Sequence, residues 1–149
     1  MPGTLSIAEG LQALAAKAEV ATPNGGNEPI LFVEDNSMIL ENSTTILEEL
    51  GYNVKGALDG QAAIQILVDG FKPKLLCCDI VIPGGMNGVE LSRKISELMP
   101  EVKVLLVSGY GAADLMDGSI NQDGFRLMSK PYTADDLGSR VRNILDGVQ

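Results

Sequence analysis

From Ile30 onward, short apolar runs alternate with longer segments in which apolar residues recur at helical spacing. Several runs are continuously apolar, which is typical of parallel strands covered on both faces. The alternation itself is typical of βα units built around a parallel sheet. The predicted strands are residues 30–33, 54–57, 75–78, 104–107 and 125–128. The pattern therefore predicts an α/β fold with five βα units.

The segments between the strands carry apolar stripes that predict amphipathic helices. The stripes consist of Ile39, Ile46, Leu47 and Leu50; Ala63, Ile66 and Leu67; Leu91, Ile95 and Leu98; and Leu137, Val141 and Ile144. A further helix, around residues 112–116, is predicted from a short and irregular pattern. Gly51 and Gly70 stand where helices should end, and Thr133 with Asp136 resembles a capping box at the start of the last helix.

Residues 1–29 differ in composition from the rest of the chain. An Ala-rich stretch with apolar residues at helical spacing predicts one short amphipathic helix, followed by a linker dense in turn formers at residues 21–27. The helix could dock on a partner, belong to a preceding domain or be a frayed extension. We expect residues 1–29 to be this helix and flexible linker, and residues 30–149 to form one domain.

Composition excludes several classes of function. Twenty acidic residues against eleven basic ones give a net charge of −9, which repels nucleic acid and anionic lipid. No apolar run approaches the roughly 18 residues of a membrane span, and no signal peptide pattern opens the chain. We expect a cytoplasmic protein that binds neither nucleic acid nor membrane through this segment.

The chain contains no histidine and two adjacent cysteines, Cys77 and Cys78. The absence of histidine removes Ser-His and Cys-His catalytic arrangements and any metal site with histidine ligands. Neighbouring residues of a strand point to opposite faces, so we expect both thiols to be small buried core residues. Any chemistry must use carboxylates, hydroxyls and lysine.

Chemically active side chains follow four of the five predicted strands. They are Glu34 and Asp35, Asp79, Ser108, and Lys130. Each alone could be a helix cap or a solvated side chain, but ligands of open α/β sheets bind beyond the carboxyl ends of the strands. Carboxylates placed this closely need a compensating cation, and oxygen ligands favour Mg²⁺ or Mn²⁺.

These residues carry a family resemblance that extends over residues 30–146. Its motifs are Val33-Glu34-Asp35-Asn36, Asp79-Ile80-Val81-Ile82-Pro83 with Gly88, Val107-Ser108-Gly109-Tyr110 and Ser129-Lys130-Pro131-Tyr132. In their order and their positions at the strand ends they resemble the receiver domain of two-component response regulators. The resemblance implies a (βα)5 doubly wound, five-stranded parallel sheet in the order 2-1-3-4-5, the flavodoxin-like receiver fold.

The resemblance also implies a metal site. Glu34 and Asp35 correspond to the family's acidic pair, with Asp35 as the direct ligand of Mg²⁺ or Mn²⁺. Asp79 corresponds to the phosphoacceptor, which shares the metal, and the backbone carbonyl of Val81 would be a further ligand.

The implied reaction is transfer of a phosphoryl group from a phosphohistidine to Asp79, with Ser108 and Lys130 contacting that group. A histidine kinase or a phosphotransfer protein would be the partner, and a homodimer is compatible with the resemblance. The domain would be a signalling module that catalyses only its own phosphorylation and dephosphorylation. It would act on no separate substrate.

Two departures from the family pattern qualify this interpretation. Leu127 stands where the family often has an aromatic residue that moves on phosphorylation. The loop at residues 83–88 is one residue longer than the commonest spacing, which resembles receivers joined to hybrid histidine kinases.

The alternative function is a receiver-fold interaction module that works without phosphorylation. An Asp-x-Asp phosphatase is disfavoured by Val81, and a flavodoxin by the acidic pair after the first strand.

Overall fold

The computed structural model describes residues 25–109 and 124–147, so the helices predicted before residue 25 and around residues 112–116 lie outside the described residues. All five strands are parallel and form one sheet in the order β2-β1-β3-β4-β5. The strands are β1 (Pro29–Val33), β2 (Asn53–Ala57), β3 (Leu75–Asp79), β4 (Lys103–Ser108) and β5 (Arg126–Ser129). The predicted fold class and strand order are confirmed.

The helices of the described ranges are α1 (Ser37–Glu49), α2 (Gly60–Val68), α3 (Gly88–Leu98) and α4 (Ala134–Leu145). Thr133 and Asp136 form the predicted capping box at the start of α4. Gly51 and Gly70 follow the caps of α1 and α2 with φ of +102° and +109°. This left-handed conformation favours glycine and ends both helices where predicted.

Two hydrophobic clusters cover the two faces of the sheet. Cys78 belongs to the cluster that includes the apolar faces of α2 and α3, and Cys77 to the cluster that includes those of α1 and α4. Both thiols are free and fully buried, as predicted. Leu98 was expected in the core but is 66% exposed, because it is the last residue of α3.

A polar cluster around Arg142 holds the residues just before β1. These residues precede the predicted domain boundary at residue 30. The Arg142 guanidinium donates hydrogen bonds to the Gly25 carbonyl at 3.0 Å and to both carboxylate oxygens of Glu28 at 3.2 and 2.7 Å. It also donates to the Tyr52 hydroxyl at 3.3 Å and to Asp146 at 2.8 Å. Gly25 and Glu28 are therefore hydrogen-bonded to α4 near the start of β1.

We expect the Glu28–Arg142 ion pair to make stability depend on pH in the acidic range. The hydrogen bond from Arg142 lowers the pKa of Glu28 below its usual value of 4.5. A lowered folded-state pKa contributes stability above the unfolded-state value, and this contribution is lost as pH falls through the folded-state value. Urea unfolding should therefore show a larger loss of unfolding free energy for Glu28→Gln at about pH 7 than at about pH 3.

Glu41→Gln is the matched control, because Glu41 is an exposed residue of α1 outside this cluster. Its effect should be small at both pH values. An equal loss for Glu28→Gln at both pH values would contradict the role assigned to the charge of Glu28.

Candidate functional site

The sheet register brings the five predicted side chains to one edge. Val33 pairs with Cys78, so Glu34 and Asp79 follow at the same level on adjacent strands. Ser108 ends β4 and pairs with Ser129, the residue before Lys130. Because all strands are parallel, these residues lie together at the carboxyl edge, where open α/β sheets bind ligands.

The Lys130 ammonium group lies between two carboxylates. Its Nζ donates a hydrogen bond to Oδ2 of Asp79 at 2.7 Å and forms an ion pair with Oε1 of Glu34, also at 2.7 Å. Both carboxylates are nearly inaccessible to solvent, with Glu34 1% and Asp79 5% exposed. Buried charges of this kind are retained only when they are paired. Lys130 therefore holds the two acids together.

Glu34 is the most constrained member of this cluster. Burial raises its pKa, as does the charge of Asp79, while hydrogen bonding from Lys130 and from the Asn36 amide opposes the rise. The Asn36 amide donates to Oε2 of Glu34 at 3.1 Å. Oε1 is buried and lies 2.7 Å from Nζ of Lys130, its ion-pair partner.

The two carboxylates also act on Lys130. Burial lowers the pKa of Lys130, but hydrogen bonding to Asp79 and to Glu34 outweighs it and the net shift is upward. Lys130 is therefore a cation at neutral pH. Its ammonium group has a fixed place in the site.

Three carboxylates meet in a group that could hold a cation. One oxygen each from Glu34, Asp35 and Asp79 lies within 4.8 Å of the others. Asn36, rather than Asp35, caps α1 by accepting hydrogen bonds from two amides of its first turn. Against three carboxylates Lys130 supplies one positive charge, so the formal charges are not balanced. The three carboxylate oxygens and the unbalanced negative charge fit a hard divalent cation such as Mg²⁺.

Val81 and Ser108 touch the cluster through their backbones. The Val81 amide donates to Oδ1 of Asp79 at 3.2 Å, and the Ser108 carbonyl accepts from the Lys130 amide at 2.8 Å. The first contact holds the carboxylate of Asp79, and the second holds the backbone of Lys130. The roles of the Val81 carbonyl as a ligand and of the Ser108 hydroxyl stay predictions.

Two glycines allow the close packing of the site. The Gly88 amide donates to the Ile80 carbonyl at 2.7 Å, and a Cβ at Gly88 would overlap the backbone oxygen of Asp79. A Cβ at Gly109 would lie 3.3 Å from Cδ of Lys130. A side chain at Gly88 would overlap the backbone of Asp79, whereas one at Gly109 would require the Lys130 side chain to shift by a few tenths of an ångström.

One polar pair near the site was not predicted from the sequence. The hydroxyl groups of Ser43, in α1, and Tyr132, two residues after Lys130, are hydrogen-bonded at 2.8 Å. Ser43 is 1% exposed and lies one turn before Leu47 on the buried side of α1. A serine within an apolar stripe is a signal for a buried hydrogen bond, although the stripe does not identify the partner.

No helix within residues 25–109 and 124–147 combines the length and the apolarity needed to cross a membrane.

The chain is similar to a family model and to several individual proteins. The family model described as "Response regulator receiver domain" matches residues 30–142. The response regulator receiver protein CpdR of Brucella abortus (strain 2308) is 32% identical over 117 residues, which are 78% of this chain and 95% of that protein. The sensor kinase CckA of the same strain is 30% identical over 87% of this chain, and the chain spans 14% of that kinase's length.

A solved structure agrees with these relatives. The CheY-like response regulator receiver domain protein from Methanospirillum hungatei JF-1 superposes with a TM-score of 0.73 and 30% identity, covering 82% of this chain and 96% of that one.

Proposed function

This chain belongs to the response regulator receiver domain family of two-component signalling, and from that premise we propose that Asp79 accepts a phosphoryl group from a phosphohistidine. The donor is a histidine kinase or a phosphotransfer protein. The observation that carries the proposal is the ion-paired Asp79 carboxylate within an acidic cluster at the carboxyl end of the sheet. We assign the receiver domain to residues 30–149 together with Pro29, because β1 begins at Pro29.

In this proposal a carboxylate oxygen of Asp79 attacks the phosphorus atom. The new O–P bond forms as the P–N bond of the phosphohistidine breaks, and its electron pair returns to the imidazole nitrogen, which takes up a proton. The product is an acyl phosphate on Asp79. Later attack of water on the phosphorus would release inorganic phosphate and regenerate the carboxylate.

Glu34, Asp35 and Asp79 are the residues that would hold Mg²⁺, with the Val81 carbonyl as a further ligand. When bound, Mg²⁺ supplies positive charge to the oxygens of the transferred group. Lys130 supplies the second positive charge, and its ammonium already lies 2.7 Å from Asp79. Ser108, at the end of the neighbouring strand, offers a hydroxyl to the same group. The residues thus act by positioning and charge stabilisation.

The consequence of phosphorylation in this proposal is a change in a protein-interaction surface. Lys130 lies in the segment that joins β5 to α4, so movement of Lys130 toward a phosphoryl group would bias that region. Retention of the Lys130–Asp79 pair supports this over a module that works without phosphorylation. The latter is the outcome that an unreactive Asp79 would favour.

Incubation with acetyl phosphate and Mg²⁺, followed by intact mass measurement, tests the proposal. We expect one phosphoryl group to be added per chain, and an autophosphorylated histidine kinase to serve as a donor in a second experiment. Addition of no phosphoryl group from acetyl phosphate at any Mg²⁺ concentration would contradict the proposal.

We expect Mg²⁺ to raise the melting temperature of the chain through Asp35. A ligand that binds only the folded state stabilises it by about 2.7 kcal/mol at 100 times its dissociation constant. Asp35→Ala should remove most of this stabilisation, whereas Glu97→Gln, which removes one exposed negative charge of α3, should leave it intact. Thermal unfolding over a range of MgCl₂ concentrations measures both. An equal Mg²⁺ response in wild type and Asp35→Ala would show that Asp35 is not a ligand.

A further inference from the structure

The Ser43–Tyr132 hydrogen bond joins two segments that carry opposite charges of the site. Tyr132 lies between Lys130 and the start of α4, and Ser43 lies in α1, the helix that follows the acidic pair. The two residues are 89 positions apart in the chain, and their hydroxyl groups are 2.8 Å apart. Ser43 is almost fully buried and Tyr132 is half-buried, so the bond is partly shielded from competing water.

The loop that carries Lys130 is fixed at two points. On one side of the Lys130–Pro131 bond, the Lys130 amide donates to the Ser108 carbonyl at 2.8 Å. On the other side, the Tyr132 hydroxyl is bonded to Ser43. Loss of this hydrogen bond would leave the Tyr132 side chain held by the packing of its ring against the hydrophobic cluster of α1 and α4 alone.

The charges of the site lie close enough to act on the Tyr132 hydroxyl. Burial raises its pKa, the hydrogen bond with Ser43 lowers it, the charge of Glu34 raises it and that of Lys130 lowers it. The position of the hydroxyl pair and the effects of Glu34 and Lys130 on the pKa of Tyr132 both place the bond beside the acidic cluster.

We propose that Ser43 and Tyr132 are positioning residues that hold the Lys130 ammonium group in its place between Glu34 and Asp79. The proposal rests on the proposed function, in which Lys130 must follow the phosphoryl group. Lysine has a flexible four-carbon stem, so the place of its charge depends on how firmly its backbone is held. Small displacements of a positioned group lower rates strongly.

A double-mutant cycle tests the proposal with Tyr132→Phe, Ser43→Ala and the combined variant. Acetyl phosphate with Mg²⁺ serves as phosphodonor, and thermal unfolding reports stability. We expect both single variants to be phosphorylated about fivefold more slowly, the effect of losing one hydrogen bond. The combined variant should be equally slow, although it should be more stable than Tyr132→Phe, because it leaves no buried hydroxyl without a partner.

A second readout follows Lys130 without any phosphorylation. The ¹⁵N chemical shift of the Lys130 ammonium group is measured at one pH, without Mg²⁺, in wild type and in Tyr132→Phe. We expect this resonance to move in the variant, since the placement of the ammonium group between the two carboxylates changes. Tyr52→Phe is the control, because it removes the hydroxyl of a buried tyrosine that contacts Arg142, away from the acidic cluster.

Three results are decisive. Recovery of the wild-type rate in the combined variant would make the bond structural only and overturn the proposal. An unmoved Lys130 resonance in Tyr132→Phe would overturn it as well. Absence of phosphorylation in wild type would contradict the proposed function instead, and the resonance would still decide whether the pair positions Lys130.

Discussion

Asp79→Asn should reduce phosphoryl incorporation by at least about 1,000-fold, because the amide is isosteric with the carboxylate but is not a nucleophile. Lys130 would keep its ion pair with Glu34, so the variant should remain folded. Intact mass measured over time with acetyl phosphate and Mg²⁺ gives the rate.

Asp69→Asn provides a matched control for this substitution. Asp69 ends α2 and accepts a hydrogen bond from Gln65, away from the acidic cluster. This variant should be phosphorylated at the wild-type rate. If Asp79→Asn also gains one phosphoryl group at that rate, then Asp79 is not the acceptor.

Lys130→Met should lower stability and at the same time enhance stabilisation by Mg²⁺. Without the ammonium group, buried Glu34 and Asp79 face each other without compensation, which costs about 3 kcal/mol for a broken buried pair. Mg²⁺ would then meet no competing cation, so its effect on the melting temperature should exceed that in wild type. Phosphorylation should nevertheless slow by about 100-fold, because one charge that stabilises the transition state is lost.

Thermal unfolding with and without MgCl₂ tests whether the melting temperature falls while the response to Mg²⁺ increases. Lys55→Met is the control, since Lys55 is an exposed residue of β2, and it should change neither the melting temperature nor the Mg²⁺ response appreciably. A Mg²⁺ response in Lys130→Met no larger than that of wild type would show that lysine and metal do not compete for the same carboxylates.

The fold was predictable because its signals are local. Continuous apolar runs mark the buried strands, and the alternation of cysteine faces at Cys77 and Cys78 follows from strand geometry alone. The gathering of Glu34, Asp79 and Lys130 was predictable for a related reason. Parallel strands place their carboxyl ends at one edge, so residues after each strand become neighbours whatever their separation along the chain.

The remaining contacts depend on tertiary packing that no periodic pattern encodes. Arg142 and Glu28 are 114 residues apart, and their ion pair depends on how the start of β1 meets α4. Sequence alone also leaves Leu127 as a departure from the family. In the structure Leu127 is half-buried, and its carbonyl accepts a hydrogen bond from Arg140 at 2.9 Å, so its backbone connects β5 to α4.

Reductive trapping of the modified residue tests the central claim most directly. After incubation with acetyl phosphate and Mg²⁺, borohydride reduces an aspartyl phosphate to homoserine and releases phosphate, whereas phosphoserine and free carboxylates are left unchanged. Peptide mass spectrometry then identifies the reduced position. We predict homoserine at position 79 and at no other aspartate. Homoserine at Asp35 or at another aspartate, or a phosphorylated chain without any homoserine, would contradict the account.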